Sequence, residues 1–131
     1  MAELTTLKIR EFEKAHASLK ESLGESDIKK SIMRDSSLLR FTLTVELATK
    51  ALRMVLFDRF GIDALVPKTA YREARRVELL DENQTEICLR MVDDRNRMVH
   101  DYSEEFAHAL FERVQCEYFP LFGTLLERLR T

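Results

Sequence analysis

The side chains best equipped for chemistry in this sequence are concentrated in one run, Asp93-Asp94-Arg95-Asn96-Arg97-Met98-Val99-His100-Asp101-Tyr102. Arginine grips phosphate oxygens through a planar fork of donors, and histidine gains or loses a proton near neutral pH. Together they are the minimum equipment for cleaving an RNA phosphodiester through its own 2′-hydroxyl: one neutralises the charge on the phosphorus oxygens, the other moves the proton. That chemistry needs no metal. Asp93, Asp94 and Asp101 have no His or further carboxylate at ligating spacing, so they are expected to be solvated helix-end charges. No Gly-rich phosphate loop exists, which excludes a P-loop nucleotide hydrolase, and the expected cofactor list is empty.

Helical spacing constrains the arrangement. Asn96 and His100 are four apart and share a face, so the amide can orient the imidazole, while Arg95 and Tyr102, seven apart, share another. Arg95 and His100 are five apart, about 140° around a helix. They converge on one ligand only if the helix ends near His100 or a second subunit completes the site. The competing reading pairs Arg95 and Asp94 with neighbours, makes His100 a helix cap and half-buries Tyr102. Further up the chain Glu46 and Lys50, four apart, form either a surface ion pair or part of the lining of a dimer cleft. His16 and His108 are placed on polar faces with no specific task.

These residues must be positioned by helices. The chain has 131 residues with only three Gly and two Pro, 45% hydrophobic and 34% charged, and residues 1–131 are expected to form one domain. No apolar run nears the ~20 residues of a membrane span, and the N-terminus lacks a secretory pattern, which makes the cytoplasm the expected compartment. Net charge is −2, so any phosphate recognition must come from a local cluster rather than a global basic field. Cys88 and Cys116 suit neither a disulfide framework nor a metal knuckle and read as small helix hydrophobes.

Leu4, Leu7, Phe12, Ala15, Leu19 and Leu23 mark a first helix stopped by Gly24. A second, capped by Ser26 or Asp27, runs to about Phe60 and Gly61. It carries two apolar stripes nearly opposite one another: Phe41, Val45, Ala48, Leu52 and Val55, and Leu39, Leu43, Leu47, Ala51 and Met54. Such a helix is either central in the bundle or faces another chain, and a homodimer contact is expected. Pro67 starts a short third helix with Ala70 and Ala74 inside and Arg72, Arg75 and Arg76 outside. Asp81 with Gln84 reads as a capping box for a fourth helix, and Ser103 opens a fifth through Leu129, kinked near Phe119 by Pro120. The expected fold is all-α, an antiparallel up-and-down four-helix bundle with one additional short helix.

The run Arg95-x4-His100-x-Tyr102 resembles the signature of the HEPN superfamily, named for higher-eukaryote and prokaryote nucleotide-binding domains. Arg40-Phe41-x4-Glu46-Leu47-x2-Lys50, Pro67-Lys68 leading to Arg72-Glu73-Ala74, Asp93-Asp94-Arg95-Asn96 and Tyr118-Phe119-Pro120-Leu121-Phe122 are similar to one branch, the nucleotidyltransferase substrate-binding proteins. Thr49 stands where that branch usually has Trp, and Arg97-Met98-Val99 where it often has Leu-Thr-Ser. The resemblance implies a dimerising helical bundle, paired as toxin and antitoxin with a minimal nucleotidyltransferase encoded beside it. It implies that Arg95 holds the scissile phosphate, His100 is general acid or base, Asn96 orients His100, and Tyr102 accepts an AMP that silences the toxin. Glu46 and Lys50 become supporting residues. Two functions are thereby expected as alternatives: a metal-independent ribonuclease sited at the dimer cleft, or a non-catalytic subunit that binds nucleotide or substrate for the nucleotidyltransferase.

Overall fold

The computed structural model describes residues 2–24, 30–101 and 103–131. Ser26, Asp27 and Tyr102 therefore lie outside the described residues. Six helical segments follow in order: α1 (Glu3–Leu23), α2 (Lys30–Phe60), α3 (Pro67–Arg76), α4 (Glu82–Arg97), α5 (Glu104–Arg113) and α6 (Phe119–Arg130), with a π-helical turn, Val114–Tyr118, joining the last two. The fold is the all-α bundle expected. α1 and α2 pack along one another, α6 lies against both, and α3 and α4 pair on the other flank of α2. Among the described residues there is no strand, and no helix is long and apolar enough to cross a membrane.

Local chemistry accounts for the boundaries. Asp81 accepts from the Gln84 N–H at 2.7 Å while the Gln84 side chain accepts from the Asp81 N–H at 2.9 Å, so both directions of the capping box form at the start of α4. The Ser103 hydroxyl accepts the Phe106 N–H and caps α5. Pro67 occupies the first turn of α3, where its missing N–H costs nothing. Gly61 takes φ +67°, and Gly61 and Ile62 return hydrogen bonds to Phe57 and Leu56, which ends α2 as a left-handed cap.

Pro120 acts differently from the expected kink near Phe119. The Phe119 N–H donates to the Val114 carbonyl five residues back, so the chain passes through one wide turn before the proline and α6 starts afresh with Pro120 in its first turn. A helix cannot satisfy an i→i−4 bond at proline, and here the register shift absorbs the defect.

The first α2 stripe (Phe41, Val45, Ala48, Leu52, Val55) is entirely buried. Phe41 stacks on Tyr118 at 5.5 Å and meets Phe122 at 6.2 Å, which ties α2 to the π turn and α6. The second stripe is divided. Ala51 is buried, contrary to an unbroken outer stripe, because α1 passes over that flank; Leu47 and Met54 are half-buried, and Leu39 (72%) and Leu43 (51%) stand in solvent.

Arginines secure the ends of neighbouring helices. Arg40 Nη1 donates to the Ser18 carbonyl at 2.7 Å in the last turns of α1, and Arg59 donates to the Leu129 carbonyl at the end of α6. Two other expectations are corrected. Cys88 is buried and its thiol is pushed up to about 12 by desolvation, but Cys116 is exposed, because it lies two residues, about 200° of helical turn, from the buried Val114. His16 is not on a polar face: it stacks on Phe119 at 4.8 Å, and its Nε2 is buried with no hydrogen-bond partner among the described residues. His108 does lie on the surface, 3.3 Å from Glu112.

Burial, followed by the nearby Lys20 and Arg130 charges, holds the His16 imidazole below its ordinary 6.5. The unfolded chain therefore binds that proton first as pH falls, so the contribution of His16 is complete above 6.5 and is lost below it. Urea unfolding is expected to show lower stability at about pH 5.5 than at about pH 7.5. His16→Phe, which keeps the stack and removes the proton site, flattens that difference; an unchanged slope would contradict this placement.

Candidate functional site

Between α2, the start of α3 and the last turns of α4 lies a cavity of about 200 Å³. Its polar lining comprises Glu46, Thr49, Lys50, Arg53, Arg95 and Asn96, with Pro67 on the rim. Four of the six residues named from sequence for the site thus stand around one cavity: Glu46, Lys50, Arg95 and Asn96. Arg53 and Thr49 were not anticipated. Arg53 lies one helical turn beyond Lys50 and two beyond Glu46, a spacing that would have pointed to it. Thr49 is buried, and its hydroxyl lies 2.9 Å from the Tyr71 hydroxyl of α3.

Three cations and one carboxylate line this space. Lys50 Nζ is 3.4 Å from Glu46, an exposed pair worth only a few tenths of a kcal/mol. Arg53 Nε donates to the Ala64 carbonyl at 2.7 Å and so pins the α2–α3 loop against α2. Arg95 sits in a sequence that could have neutralised it, directly after two aspartates. Both are engaged elsewhere: Asp93 with Lys68 at 2.6 Å, and Asp94 with Arg113. Among the described residues Arg95 meets no carboxylate, only the Asn96 amide oxygen at 3.5 Å. A guanidinium left free of internal anions is available to an external one.

Asp94 departs most from expectation. Rather than a solvated helix-end charge it is buried, and its carboxylate accepts two bonds from the Arg113 fork (2.8 and 3.0 Å) and one from the Tyr118 hydroxyl (2.5 Å). Arg113 and Tyr118 are five residues apart. On an α-helix they would diverge by about 140°, but a turn closed by i→i+5 bonding brings them to one side. The π turn is thus what lets both reach Asp94. Burial, then the bond to Asp94, pushes the Tyr118 phenol well above its ordinary range, so it remains a donor.

His100 is elsewhere. α4 ends at Arg97, and the His100 N–H closes a turn onto the Arg97 carbonyl at 3.0 Å. The helix therefore does end before His100, yet the exposed imidazole does not line the Arg95 cavity. No hydrogen bond joins Asn96 to His100 among the described residues, and the Asn96 amide oxygen faces Arg95 instead. Asp101 fixes the turn: its carboxylate accepts from the Ser103 N–H at 2.9 Å and from Arg97 at 2.8 and 3.0 Å. The Ser103 backbone bond first, with Arg97 adding to it, holds that carboxyl below its ordinary range. Arg97 in turn lies 4.3 Å over the Phe106 ring. Leu39, Met98 and Asp101 line a common cavity, so the turn bearing His100 adjoins the exposed part of α2.

A family model described as "Nucleotidyltransferase substrate binding protein like" matches residues 7–131. The chain belongs to that family. A Thermus thermophilus protein of known crystal structure is 39% identical, with 92% of this chain and 99% of that one aligned at a TM-score of 0.84. A tri-AMPylated Shewanella oneidensis HEPN toxin, solved in complex with its MNT antitoxin, is 15% identical, with 99% and 98% aligned at a TM-score of 0.80. A toxin-antitoxin structure containing AMP-PNP is 14% identical, with 100% and 99% aligned at 0.80. At that identity the last two establish a shared fold for this family member. None of the curated proteins matches.

Removing the Asp94 carboxylate strands the partly buried Arg113 charge and the Tyr118 hydroxyl together. Asp94→Ala is expected to cost about 3 kcal/mol in urea unfolding, and Asp94→Asn, which keeps an acceptor, clearly less. Equal and small losses would contradict a clasp at this position.

Proposed function

We propose that the chain is the HEPN-type partner of a minimal nucleotidyltransferase in a toxin-antitoxin pair, and that it is a metal-independent ribonuclease whose site is completed by a second copy of the chain. The observation that carries this reading is the separation of its two reactive groups. Among the described residues Arg95 meets no carboxylate on its cationic cavity, while His100 stands outside that cavity, exposed, beside an uncovered apolar strip of α2. Pairing two copies about a two-fold axis over Leu39, Leu43 and Leu47 buries that strip and brings His100 of one copy toward Arg95 of the other.

In the assembled site Arg95 holds the scissile phosphate, with Lys50 and Arg53 adding positive charge. The RNA 2′-oxygen attacks phosphorus, the 5′-oxygen leaves, and His100 moves the proton as general acid or base. The products are a 2′,3′-cyclic phosphate and a 5′-hydroxyl. Asn96 and Glu46 support Arg95 and Lys50 in this reading. Tyr102 is the acceptor for AMP supplied by the nucleotidyltransferase, and the added phosphodiester silences the site by occupying its cationic charge. The family match and the likeness to a HEPN toxin complexed with an MNT antitoxin support the pairing.

The purified chain is expected to cleave RNA with EDTA present and to leave 2′,3′-cyclic phosphate ends. His100→Ala lowers the rate by about 10² to 10⁴. Equal cleavage by that variant overturns the assignment. A wild-type chain that binds the nucleotidyltransferase but cuts no RNA points instead to the non-catalytic binding subunit.

A further inference from the structure

Lys50 and Arg53 line a second cavity as well, of about 310 Å³. It opens between α1, the C-terminal half of α2 and the loop after Gly61, and adds Lys8, Phe57, Asp58 and Asp63 to the two shared cations. The two cavities share Lys50 and Arg53, which places positive charge between them. A nucleic acid whose phosphate lies at Arg95 would carry its neighbouring nucleotide across Lys50 and Arg53 into this space.

The lining suits a base rather than a further phosphate. Phe57 is an aromatic ring 61% exposed that lines this cavity, and base-on-ring stacking is the usual sequence-tolerant grip on single strands. Beside the cations Lys8, Lys50 and Arg53 the cavity carries two carboxylates, which can accept hydrogen bonds from a base but not from a phosphate diester. Asp58 is already engaged by the Thr5 hydroxyl. Asp63 has no hydrogen bond or ion pair among the described residues, and its loop is held in place because Arg53 bonds the next residue's carbonyl. An exposed carboxylate with no internal partner among the described residues can accept from two adjacent donors. Among the four RNA bases only guanine presents that pattern, N1–H beside N2–H₂, and its O6 next to them accepts from an ammonium such as Lys8, which Glu11 holds at 3.2 Å.

We infer that this second cavity is a base-recognition subsite selecting guanine, with Asp63 reading the N1–H/N2–H₂ edge, Phe57 stacking on the ring and Lys50 and Arg53 carrying the intervening phosphate. For its polymeric substrate the inference rests on the ribonuclease reading; for base selection it stands on the cavity.

Two measurements on the full-length chain separate the two claims. Calorimetric titration with the four ribonucleoside 5′-monophosphates is expected to show GMP binding about tenfold or more tighter than UMP, a preference that Asp63→Asn abolishes and that Phe57→Ala weakens together with all other binding. End-mapping of a random RNA pool is expected to show guanine enriched on one side of the cut, with Asp63→Asn removing the enrichment while cleavage elsewhere persists. Guanine-selective, Asp63-dependent binding without cleavage upholds the subsite and refutes the ribonuclease reading. Cleavage without guanine preference, together with equal binding of the four nucleotides, overturns the subsite and leaves the ribonuclease reading standing.

Discussion

The Asp94 carboxylate, gripped by the Arg113 fork and the Tyr118 hydroxyl, is the constraint on which the candidate site depends. It sits one residue before Arg95, so whatever holds Asp94 sets the rotation and height of the last turns of α4. Its two partners come from opposite ends of the π turn, and an uninterrupted α-helix would aim them about 140° apart. Proline at position 120 forces a departure from α geometry in that stretch, and the wide turn satisfies both demands at once. The clasp also has an electrostatic effect. A buried carboxylate matched to Arg113 cannot pair with Arg95, and with Asp93 drawn to Lys68, the guanidinium at the cavity keeps its charge for a ligand.

α2 is the element that all other parts share. One side carries Phe41 and the buried stripe into the core; a second carries Glu46, Thr49, Lys50 and Arg53 to the cavity; a third leaves Leu39 and Leu43 in water. A helix of 31 residues can serve three purposes because successive turns repeat the same directions along a length of roughly 46 Å. The related-family motif beginning at Arg40 is divided among them. Arg40 caps α1, Phe41 anchors the core, and Glu46 and Lys50 face the cavity. Spacing that looks like a single motif in sequence is thus a structural half followed by a site-forming half.

The helical bundle was legible because its signals are local: the Asp81 capping box, Ser103, Pro67 and the i, i+4 stripe of α2 each act within one or two turns. Grouping Arg95 with Asn96, Glu46 and Lys50 came from motif residues on two helices, which helical geometry then places together. What escaped depends on tertiary neighbours. Burial of Asp94 needs Arg113 and Tyr118, 19 and 24 residues away, and no periodicity of α4 announces them. The π turn is invisible to a reading that assumes 3.6 residues per turn, and with it the convergence of Arg113 and Tyr118 on Asp94. His16 shares its helix face with Glu13 and Lys20, but α6 returns across it and stacks Phe119 on its ring. Arg53 lay within reach of the same face argument that selected Lys50.

A site divided between two copies makes a demand that no single-chain site shares: Arg95 and His100 need not be intact in the same polypeptide. The direct measurement is complementation between Arg95→Ala and His100→Ala chains, each inactive alone, mixed under conditions that allow subunit exchange, with RNA cleavage followed over time. If the site spans two subunits, half of the randomly exchanged dimers are mixed and each holds one intact site, so activity returns to about a quarter of the wild-type rate. If the mixture stays as inactive as either variant after exchange is complete, Arg95 and His100 do not act across subunits, and a ribonuclease site shared between two copies is ruled out.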